Sequence, residues 1–278
     1  MIFNVSKMFN KFARIALQDI ASQYGMPMKG ITGSLLTRYN ANKTRFLEHA
    51  AFDALNCTED DCILEIGFGR GEGIAYAYDK VKSGGGIVFG IDWSPYITEL
   101  AQKRFVLEIA EEAKIKVDQI FELRNLPYPT DFFSGVFHVD TFYFWQQDAM
   151  VEICHEIYRV LKPGASLTCG LQLSRLKKLQ KWGILTESQS DPTRYLLCLE
   201  PAGFSSVQMT YHRSKEGSEY QLISGKKPYS SEQTSDYDTV MEELEKEIKR
   251  DLLVEQVLKT RRPPSSVDVT LSPPDVKS

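Results

Sequence analysis

The sequence predicts an α/β domain built on a largely parallel sheet with helices on both faces. Three observations predict it. Short apolar runs alternate with longer helical patterns between about residues 62 and 170. The runs are continuously apolar rather than alternating, as strands buried on both faces require. One run ends in glycines at every second position and leads directly into a helical pattern.

Cys62-Ile63-Leu64-Glu65-Ile66 is the first strand, carrying one acid. Gly86–Ile91 is the second, Gly135–Asp140 a later one, and Ser166–Leu171 another. After the second strand, Ser94-Pro95 pairs a helix-capping residue with proline at the first helical position. Ile97, Leu100, Ala101 and Phe105 then supply an apolar helical face. Pro201–Phe204 marks a turn, and Val207–Tyr211 and Glu219–Ser224 read as closing strands around a charged hairpin. Ahead of the sheet, Phe9, Phe12, Ala16 and Ile20 recur at helical spacing. A break follows at Met26–Gly30, and a second helix is expected from about Leu36 to Leu55. Residues 239–259 form a charged amphipathic pattern with Val240, Leu244, Ile248 and Leu252. The Pro- and Ser-rich end from Arg261 has the composition of disorder. The expected divisions are therefore residues 1–55, an N-terminal helical cap; 56–228, the sheet domain; and 229–278, a charged helix and tail.

Composition narrows the function. Hydrophobic residues make up 42% and charged residues 25%, which is globular composition. A net charge of -4 argues against a nucleic-acid partner, because phosphate neutralisation needs a basic excess. No apolar run reaches the ~20 residues of a membrane span. Five scattered cysteines, Cys57, Cys62, Cys154, Cys169 and Cys198, form no C-x-x-C pair and read as free thiols in a reducing compartment. The N-terminal stretch carries Lys7, Lys11 and Arg14 among apolar residues, and a packing helix is favoured over a targeting one. Cytoplasm is the expected location, with a monomer or homodimer as the expected state, and no metal site is expected.

The glycine-rich turn Gly67-Phe68-Gly69-Arg70-Gly71-Glu72-Gly73 lets the backbone bend sharply and approach a ligand at the carboxyl end of the first strand. It is not a dinucleotide fingerprint. Counted from Gly67, G-x-G-x-x-G needs glycine at 72, where Glu72 stands. A carboxylate there opposes a pyrophosphate, which disfavours an NAD-dependent dehydrogenase. Asp92 ends the second strand, placed to accept hydrogen bonds from both hydroxyls of a ribose. A simple helix-start role is the alternative for Asp92, although Ser94 already fills it.

Together these segments resemble class I S-adenosylmethionine-dependent methyltransferases. Glu65-x-Gly67-x-Gly69-x-Gly71 followed by Gly90-x-Asp92 is similar to the family's first motif and its following acid. Glu122-Leu123-Arg124-Asn125-Leu126-Pro127 is similar to its adenine loop, and Arg159-Val160-Leu161-Lys162-Pro163-Gly164 to the turn before its fifth strand. The resemblance spans about residues 55–225 and is closest in flavour to small-molecule methyltransferases with a methyltransferase type 11-like domain. It implies a doubly wound, Rossmann-like seven-stranded sheet with the last strand antiparallel, an N-terminal helical lid and a C-terminal helical extension. It also implies roles: Glu65 and the backbone of Gly67, Phe68, Gly69 and Gly71 around the methionine part, Asp92 at the ribose, and Trp93 packed on the adenine. Glu122 would receive the adenine amino group and the Leu123 N–H a ring nitrogen. Glu122 replaces the commoner Asp, and Arg70 stands where many members carry a small residue.

Asp140 falls where relatives often carry Asn or His, beside the transferring methyl, and counts as both a cofactor contact and the leading catalytic candidate. His138 shares its strand face by period 2, although an interior role is its commoner fate; Tyr143 is the third candidate. Four aromatics, Phe142–Trp145, cannot all face a core, so one or two should line an apolar acceptor cleft unless all are packing residues. Tyr39 and Asn42 are expected at the lid's edge. Leu173–Arg194 is expected to be a second substrate segment, with Arg175, Lys177, Lys178 and Lys181 either meeting an anionic head group or facing solvent. The reading is methyl transfer to O, N or C of a small, apolar or lipid-like acceptor. The alternatives are a protein-modifying enzyme and a noncatalytic nucleoside-binding interaction module.

Overall fold

The computed structural model describes residue 15 and residues 18–229. The expected charged helix at 239–259, the tail, and most of the N-terminal pattern from Phe9 lie outside the described residues.

Helix α1 covers the described residues 18–25, and α2 runs Ile31–Asp53. There follow β1 (Cys62–Ile66), α3 (Glu72–Val81), β2 (Ile87–Asp92), α4 (Pro95–Arg104), α5 (Val106–Ala110), β3 (Ile115–Gln119) and β4 (Phe133–Val139). A 3-10 turn at Phe142–Phe144 leads to α6 (Met150–Val160), β5 (Leu161–Leu171), α7 (Leu173–Lys181), α8 (Glu187–Ser190), α9 (Thr193–Leu199), β6 (Ser205–Arg213) and β7 (Glu219–Lys226). The sheet order is β3-β2-β1-β4-β5-β7-β6. Pairings are parallel up to β5, and β7 runs antiparallel to both β5 and β6. Strand order thus reverses between β1 and β4, the place where open α/β sheets leave a crevice at their carboxyl ends.

Side-chain alternation divides the core between the two faces. Ile63, Val88 and Phe137 join one apolar cluster with Leu47, Phe52, Phe68 and Ile74 of the neighbouring elements. Leu64, Phe89 and Val136, their immediate neighbours along each strand, join the other with Ile153, Ile157 and Leu199. The continuous apolar runs therefore exist because every second residue serves a different helix layer. Burying each such side chain contributes about 1.5–3 kcal/mol.

Three elements differ from the sequence expectation. β3 carries no apolar run: Ile115 and Val117 are its buried residues, because an edge strand alternates polar residues with buried ones. The Lys162-Pro163-Gly164 turn is a bulge inside β5, since Leu161 already pairs with Phe133 before the register shifts. α2 begins at Ile31, five residues before its expected start. Gly33 there packs so closely that a Cβ would lie 2.1 Å from the Met28 carbonyl oxygen. α4 forms as expected, with the Ser94 hydroxyl accepting from the Ile97 amide at 3.3 Å. Among the described residues no helix is long and apolar enough to cross a membrane.

Candidate active site

A cleft with about 990 Å³ of empty space, counted to its open mouth, lies over the strand reversal. Its floor is the glycine turn. Gly67 has φ +71°, and a Cβ there would lie 2.3 Å from Thr141 Cγ2. Gly69 has φ +53° and open space within 4 Å of a Cβ, so the turn leaves a cradle facing the cleft. Asp92 is buried beside it at the end of β2. Its Oδ1 accepts from the Ser94 amide at 2.8 Å and its Oδ2 from the Gly69 amide at 3.4 Å. Burial pushes the Asp92 carboxyl up to about 6.

The expected cofactor residues separate into those facing the cleft and those supporting it. Gly67, Gly69, Asp92, Trp93, Leu123 and Asp140 line it; Glu65, Phe68, Gly71 and Glu122 do not. Glu65 turns beneath the start of α3, where a Cβ on Gly73 would lie 2.3 Å from its Oε1. Phe68 belongs to the core. Glu122, expected at the adenine from the family pattern, lies outside the lining. Arg124, two residues on, captures its carboxylate with Nε at 2.9 Å and Nη2 at 2.7 Å and holds it down to about 2, on the exposed side of the loop. Ile120 and Leu123 face the cleft instead. Glu72, cited above against a pyrophosphate, is held by Arg45 at 2.9 Å and Arg104 at 2.7 Å, so its charge is matched outside the cleft.

The N-terminal elements form the opposite wall. Tyr24, Gly25 and Pro27 line the cleft with Thr37, Asn40, Ala41, Thr44 and Glu48, one helical face of α2. The wall is tied to the sheet: Trp93 Nε1 donates to the Gly25 carbonyl at 2.6 Å, and Ser94 Oγ to the Pro27 carbonyl at 2.5 Å. Tyr39 and Asn42 are exposed and not part of the lining, being out of phase with that face. The sequence signal for this wall was three polar residues, Thr37, Thr44 and Glu48, on the helix face that also carries Ala41, Leu47 and Ala51.

The third wall follows β4. Asp140 takes a left-handed φ of 56°, a conformation that non-glycine residues adopt at a cost. Its Oδ2 lies 2.8 Å from Arg175 Nε. This is an ion pair by distance, although the atoms are not aligned as a hydrogen bond. Arg175 Nη2 also donates to Asn40 Oδ1 at 3.2 Å. Of the four aromatics, Tyr143, Phe144 and Trp145 line the cleft, while Phe142 stacks on Tyr195 in the core. Burial, then the Asp140 charge, raises the Tyr143 phenol well above its usual range. Arg175 enters the cleft, whereas Lys177, Lys178 and Lys181 face solvent.

His138 does not line the cleft. It is fully buried, and burial lowers its imidazole to about 3. Its Nε2 lies 2.8 Å from the Tyr195 hydroxyl and its Nδ1 2.8 Å from Thr141 Oγ1. Tyr195 O–H has no other acceptor among the described residues, so it donates to Nε2 and the ring proton sits on Nδ1. Nδ1–H then donates to Thr141, which leaves the Thr141 hydroxyl proton free to point into the cleft.

The comparisons agree with this geometry. The family model described as a methyltransferase domain matches residues 63–164. No curated protein matches the chain. A methyltransferase from Aquifex aeolicus, described as S-adenosylmethionine-dependent, is 18% identical with a TM-score of 0.54, covering 68% of this chain and 95% of its own. A Haloferax volcanii protein described as a putative methyltransferase, solved with the Trm112 activator, is 16% identical with a TM-score of 0.55, over 69% and 94%. A geranyl diphosphate methyltransferase solved with its methyl donor is 13% identical with a TM-score of 0.53, over 74% and 94%. Residues 63–164 thus match a methyltransferase domain, and the sheet that carries them has the fold of these solved structures.

Proposed function

We propose that the chain methylates O, N or C of a small, apolar or lipid-like acceptor that enters beneath α1 and α2. The observation that carries this is the aromatic wall, Tyr24, Tyr143, Phe144 and Trp145, facing the glycine cradle across one covered cleft. In this reading residues 18–55 act as the cap of the sheet domain, the chain works in the cytoplasm, and it functions as a monomer or homodimer.

The donor supplies an already activated methyl group, so the chain's part is alignment and exclusion of water. The Gly67–Gly69 backbone holds the amino-acid portion, and Asp92 accepts from the ribose hydroxyls. Trp93, Ile97, Ile120 and Leu123 enclose the base. Asp140, held by Arg175, orients the acceptor and takes its proton where the acceptor arrives protonated. Tyr143, whose phenol stays protonated, donates to it. A geranyl diphosphate methyltransferase and a phosphoethanolamine methyltransferase among the similar structures act on small molecules by their descriptions. The Haloferax protein's activator complex keeps a protein-directed reading in view, but α1 and α2 leave a covered cleft suited to a compact acceptor.

The test is transfer of a labelled methyl group from S-adenosylmethionine into fractionated small-molecule extract and, separately, into protein extract. Label entering the organic-soluble small-molecule fraction supports the reading. Label entering protein alone contradicts it.

A further inference from the structure

Glu48 lies on the fifth turn of α2 and lines the cleft. Its residue is 9% exposed, and its Oε2 is fully buried without a hydrogen-bond partner. Its Oε1 lies 3.1 Å from Thr44 Oγ1. The Thr44 hydroxyl has one proton and a second acceptor, the Asn40 carbonyl at 3.0 Å. If Thr44 donates to Asn40, the Glu48 contact needs a proton from Glu48 itself.

Charge points the same way. The charged groups acting on Glu48 are acids, Glu72 and Asp140, with Glu65 coupled to it beneath α3. Burial, against the Thr44 hydrogen bond, pushes the carboxyl up to about 8. No Lys, Arg or His among the described residues pairs with it. The other cleft-lining carboxylates are already engaged, Asp140 by Arg175 and Asp92 by two backbone amides. A buried, cleft-lining carboxyl with an unpartnered oxygen and no cation is a site for a cation that arrives with a ligand. The Gly73 amide at the start of α3 also acts on the carboxyl, lowering it against the larger effect of burial, which places Glu48 at the end of the cleft formed by the glycine turn.

We propose that the Glu48 carboxyl receives the α-ammonium group of the methyl donor's amino-acid portion. The proposal rests on the donor placement given above. It makes Glu48, rather than Glu65, the carboxylate that recognises the amino acid: Glu65 shapes the turn from below, and Glu48 reaches the ligand from the helix above. Binding converts a neutral carboxyl into a paired carboxylate and releases its proton to solvent.

The experiment is calorimetric titration of the full chain near pH 7 with S-adenosylhomocysteine and with its analogue lacking the α-amino group. Wild type, Glu48→Gln and Glu48→Asp are compared in two buffers of different ionisation enthalpy. Wild type should prefer the amine-bearing ligand by roughly tenfold or more and release up to one proton on binding it. Glu48→Gln should bind both ligands alike, with the deaminated one unchanged from wild type, and release none. Glu48→Asp, which keeps the carboxyl but withdraws it by one methylene, should fall between and serves if the Gln variant does not fold. Full preference retained in Glu48→Gln overturns the proposal. Failure of wild type to bind either nucleoside would instead remove the donor placement on which it rests.

Discussion

The donor side and the acceptor side of the cleft are built in different ways. The donor side is nearly all local chain: Gly67 and Gly69, with Asp92 one strand away, held by backbone amides at 2.8 and 3.4 Å. The acceptor side is assembled across the chain. Arg175 reaches Asn40, 135 residues earlier, and Asp140 meets Arg175 only because α7 returns over the cleft. The first depends on backbone conformation, the second on side chains meeting at a distance. Substitutions on the donor side should therefore act on binding, and those on the acceptor side on turnover.

Asp140→Asn is the sharpest test of that division. It should lower kcat by about 10²- to 10⁴-fold, the usual contribution of a positioned acid–base group. The dissociation constant for the donor should stay within about threefold, and parallel turnover and titration measurements read both. Gly67→Ala should strike the donor side. The new Cβ must move Thr141 Cγ2 and sit at positive φ, costing about 1–3 kcal/mol. Donor affinity should fall at least tenfold while a donor-independent probe of the acceptor wall, such as tryptophan fluorescence quenching by an apolar ligand, changes little.

Next in size is a pH effect. Glu48 sits at about 8 in the folded chain against an ordinary 4.5. Between those values the folded state holds a proton that the unfolded state has lost. Stability without ligand therefore falls as pH rises through that window. Glu48→Gln should remove this slope, raising the melting temperature by several degrees at pH 8 and by little at pH 5. The smallest effect is expected at Glu122. Because Arg124 already holds its carboxylate in solvent, Glu122→Ala should change stability by under ~0.5 kcal/mol and leave donor affinity unaltered. A tenfold loss there would restore the family-based role for Glu122.

The same division explains what the sequence made legible. The strand–glycine–helix unit at Ile63–Ile74 and the acid at Asp92 are local, so their spacing carries their geometry. The sheet's buried runs were equally visible, because each strand writes both its faces into consecutive residues. β3 escaped because its alternation over Ile115–Gln119 is too short to stand out. Glu48 escaped because a polar residue on a helix declares nothing until the helix is docked, and the docking face of α2 is set by β4 and β5. Tyr39 and Asn42 fall on the exposed phase of that helix, which the sequence alone does not orient. Glu122 shows the converse: its motif was legible, but a neighbouring Arg124 redirects the side chain. His138 had the right strand face and the wrong depth, and the group that reaches the cleft is Thr141, its hydrogen-bond partner.

In the proposed arrangement the glycine cradle holds the amino-acid portion of S-adenosylmethionine and Asp92 its ribose. Calorimetric titration of wild type and Asp92→Ala with S-adenosylmethionine, S-adenosylhomocysteine and NAD tests it most directly. Wild type should bind the first two and show no measurable binding of NAD, and Asp92→Ala should lose about 1.5–3 kcal/mol, roughly 10- to 150-fold. Equal affinity in the two proteins, or binding of NAD alone, would contradict it.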